Sequence, residues 1–304
     1  MPRDAEPILV VGEALVDVVR QDGEKLPHPG GSPLNVAVGL ARLDVPVVLH
    51  TRFGDDANGV LIAQHLDASG VPLTPGSVDK RPTAIAEATL AADGSATYRF
   101  EIEWDPAAVS ITQAPVAVHT GSIAAIMMPG ADLVEQLLRD SRDTATISYD
   151  PNVRPALMGE HGAARERVER LVALADVVKA SDEDIGWLYP GDEVADVLAR
   201  WIALGPALVV ATRGGNGADA IAACGTVHVD APLTTVADTI GAGDSFMAGL
   251  LAALSDRSLL GGDRRDALRA IEASTVEAVV AFAARCAAIT VSREGANPPG
   301  RDEV

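Results

Sequence analysis

Two acidic residues flank a run of small residues in the segment DTIGAGDSFMAG at 238–249, and this spacing suits phosphate chemistry. Gly241-Ala242-Gly243 leads into a stretch free of proline and rich in helix formers, which predicts unpaired backbone N–H groups at a helix N-terminus. Such groups and the helix dipole attract anions, phosphate above all. Asp244 falls in the first turn, where it could either accept a proton from the group that attacks a phosphate or simply cap the helix. The segment alone leaves both roles open.

Polar segments follow several other apolar, strand-like runs along the chain. They are Glu13 and Asp17, PGGSPLN at 29–35, YDPNVR at 149–154, SDED at 181–184 and GGNG at 214–217. Each is also accounted for by ordinary turn and helix-cap chemistry. In an open α/β sheet, however, ligands bind beyond the carboxyl ends of the strands. The shared position of these segments therefore predicts one binding site at that edge of a sheet.

Strand-like and helix-like segments alternate along the chain and would provide the elements that position such a site. The run ILVVGEALVDVV precedes helix SPLNVAVGLARL, strand VPVVLH and helix NGVLIAQHLDASG, and the order recurs at TATISYD, AARERVERLVALA and DVVKA. This alternation indicates a parallel sheet covered by helices on both faces. The apolar run 276–291, which contains Glu277 and Arg285, predicts a buried helix that leads into a strand.

One region departs from this alternation. Residues 83–105, TAIAEATLAADGSATYRFEIEWD, contain two β-rich runs joined by Asp93-Gly94, a hairpin signature. Insertions beside an active site often act as lids. We therefore expect a lid in this region.

Composition and charge restrict the class of protein. The chain has 304 residues, of which 48% are hydrophobic and 22% charged, so it can bury a large core. Its formal net charge of -19 opposes binding to nucleic acid and to anionic membranes. Cys224 and Cys286 are too few for a disulfide framework or a thiolate zinc site. Acidic residues in and around the first apolar run argue against a signal peptide or a membrane span, so we expect a cytoplasmic protein.

Two signatures together resemble the PfkB family of carbohydrate kinases, and within it the fructokinase-like group. They are GGSPLNVAVGLARLD at 30–44 and DTIGAGDSFMAG at 238–249, and their order and separation match the family as well. Shorter matches extend the resemblance over residues 8–299: GEALVD, TRFGDDANG, HTGSIA, DPNVRP, TRGGNGA and REGANPP. The resemblance implies a ribokinase-like three-layer α/β sandwich with a mostly parallel central sheet. It also implies a single domain over 1–304, with a small β lid from about 12–30 and 83–105.

This resemblance implies a role for each candidate residue. Asp244 is expected to accept the proton of a sugar hydroxymethyl group as that group attacks the γ-phosphate of ATP. The backbone N–H groups of Gly241, Ala242, Gly243 and Asp244 are expected to form an anion hole. The expected sugar-binding residues are Asp17, Gly30, Gly31, Asn35 and Arg154, with Arg99 on the lid strand as a further candidate. The expected ATP-binding residues are Thr212, Gly214, Gly217 and Asn297.

The resemblance also implies metal ions and a partner. Many relatives organise Mg²⁺ and its waters with an Asn-x-x-Glu motif, and here Ser181 and Asp184 stand in those positions. Asp184 keeps a carboxylate, one methylene shorter, and Glu183 is the alternative ligand. Many relatives also bind a monovalent cation, usually K⁺, whose ligands here would be Asp238, Ile240, Thr290 and Gly295. Because paired lids form a dimer in relatives, we expect a homodimer.

The choice of sugar depends on a few side chains. Leu15 stands where ribose-specific relatives have an asparagine, which disfavours ribose and favours fructose. An acidic sugar such as 2-keto-3-deoxygluconate would need a cation, which Arg99 or Arg154 could supply. Glu101 and Glu103 share the strand of Arg99 at alternate positions and would offset its charge. We therefore expect fructose as the substrate.

Other functions stay open beside this one. Within the family they are a 2-keto-3-deoxygluconate kinase and a ribokinase or nucleoside kinase, and outside it a sugar-binding regulatory protein without turnover. A nicotinamide oxidoreductase is disfavoured, because GEALVD stands where a Gly-x-Gly-x-x-Gly turn would be needed.

Overall fold

The computed structural model describes residues 6–21, 24–90 and 96–304. The strands in these residues are, in chain order, β1 (Ile8–Val11), β2 (Leu15–Gln21), β3 (Glu24–Gly30), β4 (Val47–His50), β5 (Phe53–Gly54), β6 (Val78–Asp79), β7 (Ala84–Leu90), β8 (Ala96–Glu101), β9 (Ala117–Gly121), β10 (Thr146–Asp150), β11 (Val177–Ser181), β12 (Leu208–Thr212), β13 (Ala218–Ala222) and β14 (Gly225–Val229). The α-helices are α1 (Ser32–Arg42), α2 (Ala57–Ala68), α3 (Gly130–Ser141), α4 (His161–Leu174), α5 (Asp182–Leu188), α6 (Val194–Ala203), α7 (Ala242–Asp256), α8 (Arg265–Arg269) and α9 (Ala273–Val291).

The central sheet has eight strands in the order β14-β13-β12-β11-β10-β9-β1-β4. The strands from β12 to β4 are parallel, and β13 and β14 extend the sheet in antiparallel pairing. Every residue of β1, β9 and β10 is buried, as expected of strands covered on both faces. The parallel strands all end at one edge, here called the carboxyl edge, and begin at the opposite amino edge.

Helices cover both faces of the central sheet. The apolar residues of α1, α7 and α9 pack against one face, and those of α3, α4 and α6 pack against the other. Each wholly buried large aliphatic side chain in these layers contributes about 1.5–3 kcal/mol relative to its exposed state. The result is a three-layer α/β sandwich, which confirms the fold predicted from the sequence.

α9 differs in part from its prediction. It is a buried helix as expected, with Val276, Val279, Val280 and Ala283 wholly buried. It does not lead into a strand: the helix continues to Val291, and a 3₁₀ turn is the next regular element. By length and composition α9 could cross a membrane, but here its apolar residues belong to the core, and the helix contacts α7, β13 and β14.

The alternation of segments predicted the first apolar run as a single strand-like segment. It forms two strands rather than one, because the chain leaves the central sheet after β1 and enters a second sheet at β2. This second sheet, called the small sheet, has the order β3-β2-β7-β8. β7 and β8 pair in antiparallel fashion, but the expected Asp93-Gly94 turn lies outside the described residues.

The register of the small sheet separates its two faces. Asp17 is paired with Ala86, which is paired with Phe100, so these three residues share one face. That face lies toward the carboxyl edge, since Leu15 and Ala84 of the same alternation pack against Ile123. The face that carries Asp17 is called the inner face, and residues at the intervening positions lie on the opposite, outer face. Val16 and Val18 of the outer face are buried in the core cluster that also holds Ile62 and Leu66 of α2.

Candidate active site

The segment that precedes α7 places several backbone N–H groups at one point. Gly241 is the N-cap with φ +75°, and a Cβ added there would lie 2.7 Å from Ala296 Cβ, so both conformation and space require glycine. Among the described residues, no acceptor pairs with the N–H of Gly241, Gly243 or Asp244. The N–H of Ala242 was also predicted to be open, but it donates a long 3.3 Å hydrogen bond to Thr239 O. Loop 241–244 therefore offers three open donors rather than four.

Asp244 lies in the first turn of α7 and is only 7% exposed. Its Oδ1 accepts a hydrogen bond from Ser32 Oγ (2.6 Å), and its Oδ2 accepts one from Asn35 Nδ2 (2.8 Å). Asn152 Nδ2 approaches Oδ1 at 3.5 Å. Ser32 and Asn35 come from the first turns of α1, so two helix N-termini converge on one carboxylate. Asp244 does not cap its own helix: α7 has no side-chain cap.

Close helix packing fixes this convergence. A Cβ on Gly39 of α1 would lie 2.7 Å from the Ala248 Cβ of α7, so the two helices approach through small residues. Since both helices are rigid elements in a dense core, Ser32 and Asn35 hold the Asp244 carboxylate in one orientation. Asn35 was predicted to bind the sugar, and the structure gives it a direct contact with Asp244.

Asp17 and Gly30 meet on the inner face of the small sheet. A Cβ on Gly30 would lie 2.1 Å from Asp17 Oδ2, so glycine leaves room for that carboxylate. The Asp17 side chain reaches solvent, but surrounding protein atoms limit its hydration and raise its pKa, while the Arg154 guanidinium opposes the rise. Gly31 follows at φ +108° and is the N-cap of α1. The predicted sugar residues Asp17, Gly30, Gly31, Asn35 and Arg154 thus lie around Asp244.

Glu13 is a buried acid next to this side of the site. Its carboxylate is buried and accepts a 3.0 Å bond from the N–H of Ala124. Burial raises the pKa of Glu13 to about 7, against the lowering effect of its hydrogen bonds and of Arg154. The sequence placed Glu13 at the carboxyl edge but gave it no role.

The predicted ATP residues separate into two groups. Thr212 is the last residue of β12 and is in register with Ser181 of β11, and Gly214 and Gly217 flank the 3₁₀ turn that follows. These three residues lie at the carboxyl edge. Asn297 does not join them, because its Oδ1 accepts a bond from Arg42 Nη1 (2.6 Å), at the opposite end of α1 from Ser32.

Asp184 is engaged by the backbone on both oxygens. Its Oδ1 accepts from Val153 N (2.7 Å), and its Oδ2 accepts from Ser181 N (2.9 Å), while Ser181 Oγ caps α5 in return. The pair is a capping box. Glu183 is exposed. In the described part of the chain, no group of three or more His, Cys, Asp or Glu side chains is arranged to hold a metal.

The segments expected to bind a monovalent cation are in contact. Asp238 Oδ1 accepts from Ile240 N (3.0 Å), and Oδ2 accepts from Gly295 N (2.9 Å). These bonds lower the pKa of Asp238. The Thr290 hydroxyl instead forms hydrogen bonds within the core, with Ser245 Oγ and Cys286 O, so only its backbone carbonyl could reach an ion.

Arg99 lies away from the other predicted sugar residues. It is paired with Glu87, which is paired with Val18, and therefore lies on the face of the small sheet opposite to Asp17. Its side chain is 71% exposed and forms a 2.5 Å ion pair with Glu101. The expected offset by Glu101 is present, whereas Glu103 pairs with Arg81 instead. The structure thus gives Arg99 no contact with the site.

Sequence reasoning missed several residues that contact the site. Ser32 and Asn152 lie inside quoted motifs, and only their hydrogen bonds to Asp244 single them out. Asn152 has φ +36°, a left-handed conformation that asparagine tolerates better than most residues. Lys179 and Asp150 form a buried 2.8 Å ion pair at the same edge. A lysine inside an apolar strand, in a chain with few lysines, was the available signal.

The fold and this site define a phosphotransferase with an alcohol acceptor, since a buried carboxylate lies beside a helix N-terminus with free N–H groups at a sheet's carboxyl edge. Residues 6–303 match the pfkB family of carbohydrate kinases, and the chain belongs to that family.

Similar proteins agree with this assignment. The chain is 38% identical to a fructokinase from Rhizobium leguminosarum bv. trifolii, over 83% of this chain and 81% of that protein. It superimposes on a fructokinase with bound ATP from Xylella fastidiosa with a TM-score of 0.82, at 25% identity, over 95% and 93% of the two chains. A Vibrio cholerae fructokinase double mutant with bound fructose, ADP and potassium ion gives a TM-score of 0.79 at 26% identity, over 96% and 94%.

Proposed function

We propose that this kinase transfers the γ-phosphate of ATP to a hydroxymethyl group of fructose, with Asp244 as the base. The observation that carries the proposal is the position of the Asp244 carboxylate, held by Ser32 and Asn35 beside the open N–H groups of loop 241–244. A carboxylate next to an anion site is unfavourable unless it removes a proton during attack.

The proposed reaction has a simple balance. The sugar hydroxyl forms a bond to the γ-phosphorus, the bond from that phosphorus to the bridging oxygen breaks, and ADP leaves with the bond's electron pair. Asp244 takes the hydroxyl proton. The free N–H groups of Gly241, Gly243 and Asp244 donate to the transferring group, whose charge they stabilise most strongly in the transition state. Thr212, Gly214 and Gly217 would line the nucleotide.

The sugar would lie between loop 241–244 and the inner face of the small sheet. Asp17 and Arg154 offer an acceptor and a donor for neighbouring hydroxyl groups. The Leu15 side chain is buried against Ile123 and adds no hydrogen-bonding group. These contacts and the fructokinase relatives support a neutral ketose, and the small sheet would exclude water as a lid.

The proposal includes two metal ions, Mg²⁺ bound to ATP and K⁺ near loop 241–244. Mg²⁺ would arrive with ATP and neutralise its phosphate charge. Because the backbone already uses both oxygens of Asp184, that residue would contact the ion's waters through its remaining lone pairs. Glu183 is a weaker candidate. The contact between Asp238 and Gly295 supports a K⁺ site at the carbonyls of Ile240, Thr290 and Gly295, behind loop 241–244.

The proposed assembly is a homodimer through the outer face of the small sheet, in the cytoplasm. Val18, Pro27 and Ile85 line an open depression of about 330 Å³ on that face. Cys224 and Cys286 are unpaired, as a reducing compartment favours. Light scattering at micromolar concentration tests the dimer, and a monomer would contradict it.

A coupled ADP-release assay over a sugar panel tests the substrate. D-fructose should give the highest kcat/KM, ahead of D-ribose and 2-keto-3-deoxygluconate at matched ATP. A preference for the acidic sugar would contradict the proposal and would assign its carboxylate to Arg154, since Arg99 lies on the outer face.

A further inference from the structure

Lys179 is a buried cation that lies against loop 241–244. Its side chain is 3% exposed, and its ammonium donates to Asp150 Oδ2 over 2.8 Å. A Cβ added to Gly243 would lie 2.8 Å from Lys179 Nζ, which is closer than such atoms approach. The ammonium is therefore in van der Waals contact with the loop, and Gly243 makes that contact possible.

The groups that face Lys179 keep it charged. Burial disfavours the ammonium, but the carboxylates of Asp150, Asp184 and Asp244 outweigh this effect and raise the pKa of Lys179. His119 lies on the same sheet face, and burial together with the Lys179 charge lowers its pKa to about 3, so it is neutral. Lys179 is thus a fixed positive charge at neutral pH.

A purely structural ion pair does not account for this arrangement. Buried ion pairs often add little net stability, because desolvation cancels most of the attraction. An ammonium has three N–H donors, and among the described residues only Asp150 accepts one of them. The remaining donors and the charge lie next to the open N–H groups of Gly243 and Asp244, where negative charge would increase during phosphoryl transfer.

We propose that Lys179 is a positioning residue of the phosphoryl-transfer site, which holds loop 241–244 against Asp150 and adds a positive charge beneath the transferring group. This inference rests on the proposed function. Because the charge of that group grows in the transition state, Lys179 should affect kcat more than substrate binding.

The informative variant removes both partners of the ion pair. Lys179→Met alone leaves the Asp150 carboxylate buried without its cation, which would destabilise the fold. The double variant Lys179→Met/Asp150→Asn leaves no uncompensated charge. We expect it to fold, to keep the KM for fructose, and to lose about 100-fold in kcat, as for loss of one oxyanion-hole donor.

Binding measurements separate positioning from structure. Affinity for ADP and fructose should be retained, whereas the added affinity that aluminium fluoride gives to the ADP–fructose complex should fall with kcat. As a matched control, Arg265→Met/Asp176→Asn removes a partly buried ion pair at the amino edge and should leave kcat unchanged.

The outcomes are distinct. A folded Lys179→Met/Asp150→Asn variant with normal kcat, or with equal losses in kcat and ADP binding, would overturn the inference. If Asp244→Asn, assayed in parallel, kept normal turnover, the proposed function itself would be wrong. An inactive Asp244→Asn beside an active double variant would reject the role of Lys179 alone.

Discussion

The two edges of the central sheet differ in how well they stabilise the charge of a buried carboxylate. At the amino edge, Asp176 accepts hydrogen bonds from Ile147 N and from two nitrogens of Arg265, over 2.7–3.1 Å. At the carboxyl edge, Asp150 is wholly buried, and burial raises its pKa to about 6 even beside Lys179. The first edge satisfies its carboxylate with three hydrogen bonds. At the second edge, burial disfavours the ionised form of Asp150 and so lowers the stability of the fold. Perturbed acids of this kind are typical of sites of proton transfer.

The amino edge offers the largest expected change in stability. Arg265→Met leaves Asp176 buried without its cation and should lower the free energy of unfolding by about 3–5 kcal/mol. Because the pair lies at the edge away from loop 241–244, kcat should be unchanged at temperatures where the variant is folded. Urea denaturation and ADP-release assays check both expectations. A loss of kcat in the folded variant would contradict the division between the edges.

Glu13 at the carboxyl edge should make the free energy of unfolding depend on pH. Its pKa is about 7 in the folded protein and 4.5 as the ordinary value, so the folded state binds the proton more tightly. Wild-type stability from this group is therefore lost as pH rises from 4.5 through 7. Glu13→Gln has no such group. When pH is raised from 4 to 8, its free energy of unfolding should therefore increase by about 3 kcal/mol relative to that of the wild type. Denaturation at both pH values measures this gain, and a pH-independent difference would contradict it.

Asp184 and Ser181 form one capping box but differ in charge. Asp184→Ala should raise the Mg²⁺ concentration needed for half-maximal rate, because it removes a carboxylate near the phosphates. Ser181→Ala should lower stability by about 1 kcal/mol through loss of the N-cap, with a smaller effect on Mg²⁺. Titration of the rate with Mg²⁺ compares the two variants. Equal and negligible shifts would place the metal elsewhere.

Two arginines, Arg154 in the loop after β10 near Asp17 and Arg99 on the outer face of the small sheet, give the smallest expected effects. Arg154→Ala should raise the KM for fructose about tenfold through loss of a charge-assisted hydrogen bond. Arg99→Ala should leave that KM unchanged, because the side chain is exposed on the outer face and its surface ion pair contributes little. A larger effect of Arg99→Ala in steady-state assays would mean that the outer face contacts the sugar.

The sequence predicted the fold and the centre of the site but not all of its contacts. Alternating apolar segments predicted the three-layer sandwich, and two separated motifs predicted that Asn35 and Asp244 serve the same site. The alternation of segments did not show the division of the first apolar run into two sheets, because β1 and β2 are separated by only a few residues without a strong break. Only the resemblance implied that a lid begins near residue 12. The face occupied by Arg99 depends on strand register, and the position of Asn297 depends on Arg42 at a distant point in the chain. Neither leaves a local signal.

Lys179 shows the same limit in a functional residue. Periodicity places it inside a buried strand, but only the distances to Asp150 and Gly243 show that its charge lies against loop 241–244. Contacts between residues this far apart in the chain are set by packing, which one sequence does not reveal.

The most direct test of the account is the turnover of Asp244→Asn with fructose and ATP, measured together with ATP binding. Asparagine keeps the size of the side chain and an oxygen that can accept from Ser32 or Asn35, but it cannot accept the hydroxyl proton. We predict that kcat falls about 100-fold or more, with the dissociation constant of ATP nearly unchanged. Turnover close to that of the wild type would contradict the role of Asp244 as the base.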